Sequence, residues 1–202
     1  MVALRAAHDH WLVDAGPAAN IARWIEEAGS AAEIVGEKGS RADLIVVAPP
    51  SEDDRLARRV FRAVLFGTAR PVLMVPPGSQ VTFGHRVGIA WRDEKRVASA
   101  VLPALRCLAS AEEVHVLAGV REGAERPAMP RILVEHGIHA ELHVLPLGRS
   151  PFGQTLLETA HRLSLDLLLM GAYAHSPLRE LILGGVTRYM LTHADIPVLM
   201  RH

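Results

Sequence analysis

The stretch that decides the fold runs from Leu165 to Met200 and reads LDLLLMGAYAHSPLRELILGGVTRYMLTHADIPVLM. It opens on a continuous apolar run, Asp166 to Gly171, which is typical of a parallel strand covered by helices on both faces. Gly184 and Gly185 then precede a candidate helix, and Pro197 to Met200 has the composition of another strand. A strand, a glycine-rich loop, a helix and a further strand together predict an α/β unit.

Similar apolar runs recur along the rest of the chain and predict more strands. They are DLIVVA (Asp43 to Ala48), PVLMV (Pro71 to Val75), RVGIAW (Arg86 to Trp91), EVHVLAG (Glu113 to Gly119) and AELHVLPL (Ala140 to Leu147). The first two are expected to be buried on both faces. Segments with helical spacing lie between the strands, and their apolar stripes comprise Val97, Ala98, Val101, Ala104, Leu105 and Leu108, and then Leu156, Leu157, Ala160 and Leu163. Pro103 predicts a kink or a late start in the first of these helices.

Three blocks of sequence occur twice in the same order, which predicts an internal repeat. Leu12 to Gly16 is echoed by Leu133 to Gly137, Ala42 to Val46 by Leu165 to Leu169, and Pro71 to Met74 by Pro197 to Met200. We therefore expect a partial, N-terminally truncated unit at residues 1–78, a linker at 79–85 and a complete domain at 86–202. The partial unit would supply only its third, fourth and fifth strands. The alternative is that valine- and leucine-rich strands resemble one another by chance.

Composition excludes several classes of protein. Lysine plus arginine equals aspartate plus glutamate at 22 each, so no basic surface for nucleic acid is indicated. Cys107 is the single cysteine, which excludes an intrachain disulfide framework and suits a reducing compartment. The sequence has neither a run of about 20 apolar residues, which a membrane helix needs, nor a signal-peptide core at its start. These features predict a cytoplasmic protein with no membrane partner.

The Leu165 to Met200 stretch resembles the universal stress protein family, whose hallmark is G-x2-G-x9-G-(S/T) followed by a PVLV-like final strand. The matching positions include Gly171, Gly184, Val186 and Thr187. The resemblance implies a Rossmann-like, five-stranded parallel open sheet of order 3-2-1-4-5, with an incomplete second copy at the N-terminus. It also implies a role in stress adaptation and binding of ATP or another adenine nucleotide, with no metal beyond a nucleotide-associated magnesium.

Carried over position by position, the resemblance implies nucleotide contacts around one loop and one strand end. The residues are Trp91, Arg92, Val116, Gly171, Ala174, Gly184, Gly185, Val186 and Thr187. We expect the base near Trp91 and Val116. The phosphates are expected near Gly171 and residues 184–187, because free amides at a helix N-terminus bind anions.

Three positions depart from the family pattern and keep a second hypothesis open. Ala174 replaces a glycine, Gly185 replaces a Ser/Thr hydroxyl, and Arg92 stands where an aspartate normally contacts the nucleotide. Arginine can pair with phosphate but cannot accept a hydrogen bond from ribose. The alternative is therefore a structural or protein-interaction member of the same fold that binds no nucleotide.

We find no persuasive catalytic group, so the chain is not expected to be an enzyme. Asp166 could form a Ser-His-Asp set with Ser176 and His175 on paper, but it opens a strand instead of following one. His136, His139 and His143 have the spacing H-x2-H-x3-H but no nearby fourth ligand, and are expected to be surface histidines.

In the first copy, arginines occupy the place of the phosphate-binding glycines, at Arg58 and Arg59. The segment predicts an amphipathic helix instead of a phosphate loop. Its inward positions are expected to be Leu56, Val60, Ala63 and Val64. Trp11 and Trp24 are expected to be core or interface anchors.

The two PVLM segments predict how the copies assemble. By the family resemblance each is a terminal edge strand, and an exposed apolar edge pairs readily with another strand. We therefore expect Pro71 to Met74 and Pro197 to Met200 to pair within the chain as an intramolecular pseudo-dimer, and the chain to form a homodimer.

Overall fold

The computed structural model describes residues 2–16, 22–51, 53–79, 82–92, 94–148, 150–172 and 185–202. The chain divides into two compact units, Met1–Ser30 and Ala31–His202. In the first unit, helix α1 spans Val2–Asp14 and residues 22–30 have no regular structure. Trp24 lies against His8, with ring centroids 5.0 Å apart, and donates a hydrogen bond to Glu26. Trp11 is 50% exposed and is therefore not a core residue, while the alternative that it anchors an interface stays a prediction.

The second unit alternates helices and strands. The strands are β1 (Ile45–Val47), β2 (Val72–Met74), β3 (Arg86–Trp91), β4 (Glu113–Val120), β5 (Glu141–Pro146), β6 (Leu167–Gly171) and β7 (Val198–Arg201). The helices are α2 (Ala31–Gly39), α3 (Arg55–Gly67), α4 (Glu94–Val101), α5 (Leu105–Ser110), α6 (Arg131–Glu135), α7 (Phe152–Arg162) and α8 (Gly185–His193). Every apolar run from which we predicted a strand therefore contains one.

All of these strands belong to one sheet of order β1-β2-β7-β6-β3-β4-β5. The α/β class and the mostly parallel sheet are confirmed. The prediction of a five-stranded sheet of order 3-2-1-4-5 is incomplete. The observed sheet has seven strands, because β1 and β2 extend it. The strands of residues 86–201 occupy the part β5-β4-β3-β6-β7 of this larger sheet.

The join between the two parts of the sheet is antiparallel, whereas the other pairs are parallel. Val72 pairs with Met200, Leu73 with Leu199 and Met74 with Val198. The expected pairing of the two PVLM segments within the chain is thus confirmed. It makes β7 an interior strand and leaves β1 and β5 as the edges of the sheet.

Two hydrophobic layers cover the sheet. Residues alternate between the layers along each strand, as the period of two requires. On β7, Val198 and Met200 join the layer under α3, α7 and α8, while Leu199 joins the layer under α4, α5 and α6. β1 departs from the prediction of full burial, because Val46 on this edge strand is 59% exposed.

The helices follow their predicted stripes with one difference, which lies in α3. Pro103 lies in a 3-10 turn, Leu102–Ala104, between α4 and α5, which confirms the expected break. In α3 the inward side is shifted: Phe61, Val64 and Leu65 are buried, whereas Leu56 is 59% exposed. Leu56 lies in the first turn of α3, which begins after its N-cap Asp54.

The predicted repeat has a partial counterpart in the element order. The series α2-β1-α3-β2 matches α7-β6-α8-β7. The echoed Leu12 to Gly16 and Leu133 to Gly137 each end a helix at a glycine with positive φ, 56° and 66°. The expected third strand of the first copy is not found in residues 22–30, and the repeat itself stays a prediction.

None of the helices in the part of the chain that the structure describes is both long enough and apolar enough to cross a bilayer.

Candidate functional site

A cavity of about 570 Å³ lies where β3, β4 and β6 end. Its wall includes Trp91 at the end of β3, Gly119 near the end of β4, and Gly171 at the end of β6. Because β3 is paired on its two sides with β4 and β6, this is the point at which the chain reverses direction across the sheet. Open α/β sheets bind ligands at this point, outside the carboxyl ends of the strands.

Two helix N-termini complete the cavity. Pro151 and Phe152 begin α7, and Gly185, Val186 and Thr187 form the first turn of α8. The first amides of a helix have no partner within the helix, so an N-terminus that lines a cavity offers N–H donors and a positive dipole end. These helices also pack closely: a Cβ on Gly153 would lie 2.6 Å from the Tyr189 Cβ.

Gly119 is required by the packing of the cavity wall. A Cβ at this position would lie 2.7 Å from Cζ of Phe152 and 2.9 Å from Cδ2 of Leu147. A contact under 3.0 Å with this partly buried ring is repulsive, so a larger residue would displace Phe152. The glycine therefore allows an aromatic ring to lie over the end of β4 and to close one side of the cavity.

The charges on the cavity wall favour an anion. Arg92 and Arg121 line it and are both exposed. Among the residues that the structure describes, no aspartate or glutamate lines the cavity. Two guanidinium groups beside two helix N-termini suit a phosphate or carboxylate ligand.

The structure brings together most of the predicted site residues. Trp91, Arg92, Gly171, Gly185, Val186 and Thr187 all line this cavity. Val116 does not: it is fully buried in the layer under α4, α5 and α6. Ala174 and Gly184, like His175 and Ser176, fall in residues 173–184, outside the described part of the chain.

Sequence analysis missed several lining residues, of which Gly119, Arg121, Leu147 and Phe152 are the most informative. The strand predicted for Glu113 to Gly119 was sufficient to place two of them, Gly119 and Arg121, at the cavity. Since β3 and β4 are parallel neighbours, whatever follows β4 must lie beside Trp91 and Arg92. Leu147 and Phe152 follow β5 and gave no comparable signal, because their contact with Gly119 depends on tertiary packing.

Two reactive groups considered from the sequence lie away from this cavity. Asp166 precedes β6, at the opposite end of that strand from Gly171. Burial, and to a lesser extent the negative charge of Asp166, raise the pKa of the Cys107 thiol. A thiol with a raised pKa is protonated at neutral pH and is a weak nucleophile.

A second and more open cavity, of about 630 Å³, lies on the outer side of α8. Its wall includes Pro49, Pro77, Arg188 and Thr192. Pro49 follows β1 and Pro77 follows β2, but none of the described strand residues lines this cavity. Residues of β3, β4 and β6 line the first cavity, so we place the candidate site there.

The fold is similar to that of known universal stress proteins. Residues 147–202 match the family model described as the universal stress protein family. A universal stress protein from Archaeoglobus fulgidus DSM 4304 is structurally similar, with a TM-score of 0.73, 17% sequence identity, and coverage of 98% of this chain and 76% of that chain. No curated protein matches the sequence.

A functionally unknown protein from Pseudomonas aeruginosa PAO1 is also similar. Its TM-score is 0.62 at 19% identity, with coverage of 87% of this chain and 68% of that chain. The structural similarities establish the fold, and the family model identifies the C-terminal part of the chain. The resemblance to the universal stress protein family is therefore confirmed.

Proposed function

We propose that this chain is a universal stress protein-like module for stress adaptation that binds ATP or another adenine nucleotide in the cavity bordered by Trp91 and Gly185. The observation that carries the proposal is the convergence of three strand ends and the α8 N-terminus on one space. Its volume of about 570 Å³ is within the range of about 300–1,000 Å³ of small-molecule sites.

The phosphates are proposed to lie at the N-terminus of α8. Gly185 is exposed there, and a Cβ built on it meets no atom of the described residues within 4 Å. The space beside this residue is therefore available to a ligand. Amides at the start of a helix donate hydrogen bonds to phosphate oxygens, and the helix dipole favours their negative charge.

Arg92 and Arg121 are proposed to contact the same phosphates. Each follows a strand that ends at the cavity, and their guanidinium groups are exposed to an incoming ligand. Arg92 thereby takes a different role from the aspartate expected by resemblance. A donor at this position recognises phosphate oxygen instead of ribose hydroxyl.

Trp91 and Phe152 are proposed to contact the base. Trp91 is 8% exposed and belongs to the core, while Phe152 is partly buried at the start of α7. Both line the cavity, so an adenine ring could pack between apolar surfaces. Val116 would act only by supporting this wall from within the core.

One specific observation favours a second candidate, a protein-interaction module that binds no nucleotide. Gly185 and Arg92 both line the cavity, yet neither has the hydroxyl or carboxylate that the family pattern provides. The two functions are distinguished by direct measurement of nucleotide binding.

The test is a pair of substitutions at one position, Gly185→Asp and Gly185→Asn. Asparagine and aspartate have nearly the same shape, and among the residues that the structure describes none has an atom within 4 Å of the added Cβ. Aspartate is favourable in the first turn of a helix, so we expect Gly185→Asp to fold. Its carboxylate would repel the phosphates, and we expect ATP binding, measured by isothermal titration calorimetry, to weaken at least about tenfold relative to Gly185→Asn.

Adenosine provides the control, because it has the base and ribose but no phosphate. Its binding should be the same in the two variants if the phosphates lie at Gly185. Equal ATP affinity in the two variants would contradict the placement. Absence of ATP binding by the unmodified chain would contradict the nucleotide function and favour the interaction module.

A further inference from the structure

Three possible metal ligands converge at the other end of the sheet from the cavity. His115 on β4 and Glu141 and His143 on β5 have donor atoms that all lie within 4.8 Å of one another. The two histidines lie beside Leu117 and Leu145, on the side of the sheet covered by α7. His115 is opposite Glu141 in the register, and Leu117 is opposite His143. The cluster is therefore built by cross-strand pairing.

The distances between the three donor atoms fit a bound metal ion. His115 Nδ1 is 3.0 Å from His143 Nε2, and Glu141 Oε2 is 3.8 Å from the first and 3.7 Å from the second. A triangle with these sides has a circumradius of about 2.05 Å. An ion about 2.2 Å from all three atoms therefore lies about 0.8 Å out of their plane, as in a tetrahedral site whose fourth position is open. Zinc bonds to imidazole nitrogen and carboxylate oxygen are about 2.0–2.2 Å long.

The Glu113 carboxylate orients His115 for this role. Its Nε2 lies 3.1 Å from Glu113 Oε2, and the other oxygen of Glu113 accepts a hydrogen bond from Arg86. When the Nε2–H donates to the Glu113 carboxylate, Nδ1 carries the lone pair and is directed at His143 and Glu141. Histidines that bind metals commonly donate their other ring N–H to a carboxylate in this manner.

Both histidine side chains of the cluster are largely shielded from solvent. The side chain of His115 is 6% exposed and that of His143 16%. Desolvation lowers the pKa of His143. Glu141 raises this pKa to a smaller extent, whereas His115 and Arg162 lower it further.

We propose that His115, His143 and Glu141 form a zinc site that links β4 to the edge strand β5. Three protein ligands leave one tetrahedral position for water or for a residue of another molecule. Two imidazoles and one carboxylate favour zinc over magnesium or calcium, which prefer oxygen ligands. The sequence pattern H-x2-H-x3-H pointed to other residues: of His136, His139 and His143, only His143 belongs to this cluster.

The test is zinc binding to the full chain, measured by isothermal titration calorimetry with zinc chloride after removal of metal by a chelator. We expect one zinc ion to bind per chain. His143→Gln and Glu141→Gln should each weaken binding at least about tenfold. Glu141 is exposed, with 70% of its side chain accessible, so its substitution should leave the fold intact. Glu113→Gln should weaken binding about 10–100-fold, as expected for a residue that orients a ligand.

The matched control is His139→Gln, which removes an exposed histidine two residues before Glu141 and outside the cluster. Zinc affinity should be unchanged in this variant. The proposal is overturned if the unmodified chain binds no zinc at a free zinc concentration of about 100 µM, which is about the weakest affinity of a useful site. It is also overturned if His143→Gln and Glu141→Gln bind zinc as tightly as the unmodified chain does. ATP binding should not change in the cluster variants, so this result is independent of the proposed nucleotide function.

Discussion

At the scale of single residues, Asp166 makes an unusually dense set of contacts. Its carboxylate accepts hydrogen bonds from three successive backbone N–H groups: Gly84 at 2.9 Å, His85 at 3.0 Å and Arg86 at 3.1 Å. The Arg86 side chain in turn donates to the Leu163 carbonyl. Asp166 thus holds the segment that enters β3 against the segment that enters β6, and its role is structural.

Asp166→Asn should therefore destabilise the fold. An amide oxygen accepts less strongly than a carboxylate, and the amide nitrogen cannot accept from the N–H groups that now face it. We expect the free energy of unfolding to fall by about 1–3 kcal/mol, measured by urea denaturation. Asp195→Asn is the control, because the exposed Asp195 bonds the exposed His161 and should contribute no more than about 1 kcal/mol. Equal effects of the two substitutions would contradict this role for Asp166.

The residues that sequence analysis could and could not predict differ in how they are brought together. Trp91, Arg92 and Gly171 follow predicted parallel strands, so local pattern and sheet topology sufficed to place them at one cavity. The contact of Gly119 with Phe152 and the cluster of His115 with His143 depend on tertiary packing and on strand register. Neither packing nor register can be derived from hydrophobic periodicity alone.

At the scale of elements, β7 is the strand that joins the two parts of the sheet. The sequence indicated an apolar edge strand, and its pairing with β2 makes it interior. Leu199 is 9% exposed and lies opposite Leu73, which is 8% exposed. A charge at Leu199 would therefore be buried without a partner.

Leu199→Asp should reduce the free energy of unfolding by about 3–5 kcal/mol and promote aggregation, because it places an unpaired carboxylate in the hydrophobic layer under α4, α5 and α6. Leu102→Asp makes the same chemical change at a residue that is 51% exposed, and should cost no more than about 0.5 kcal/mol. Thermal and urea denaturation with light scattering would measure both effects. A Leu199→Asp variant as stable as Leu102→Asp would show that the β2–β7 pairing contributes little.

The sequence predicted where the strands lie along the chain better than it predicted their positions in the sheet. Apolar runs located the strands because burial on both faces leaves a strong local signal. β1 has the same composition but lies at an edge, and its pattern alone did not distinguish the two positions. The antiparallel β2–β7 join was expected only from the repeated PVLM segments, since it links residues far apart in sequence.

At the scale of the whole molecule, the two edges of the sheet differ in how they are protected. β5 carries the exposed Glu141 and ends in Pro146, and charge and proline both discourage pairing with another strand. β1 consists of Ile45, Val46 and Val47, and Val46 is 59% exposed. The β1 edge therefore presents apolar side chains together with unpaired backbone groups.

We predict that the chain forms a homodimer through this edge, with β1 of one copy beside β1 of the other about a twofold axis. Val46→Lys should shift the protein from dimer to monomer in size-exclusion chromatography with light scattering, because two lysines would meet across the axis. Val144→Lys on the opposite edge, at a residue that is 41% exposed, should leave the dimer intact. A chain that is monomeric at every concentration would refute the homodimer. If instead Val144→Lys alone separated the copies, the interface would lie at β5, where the proposed zinc site could accept its fourth ligand from the second copy.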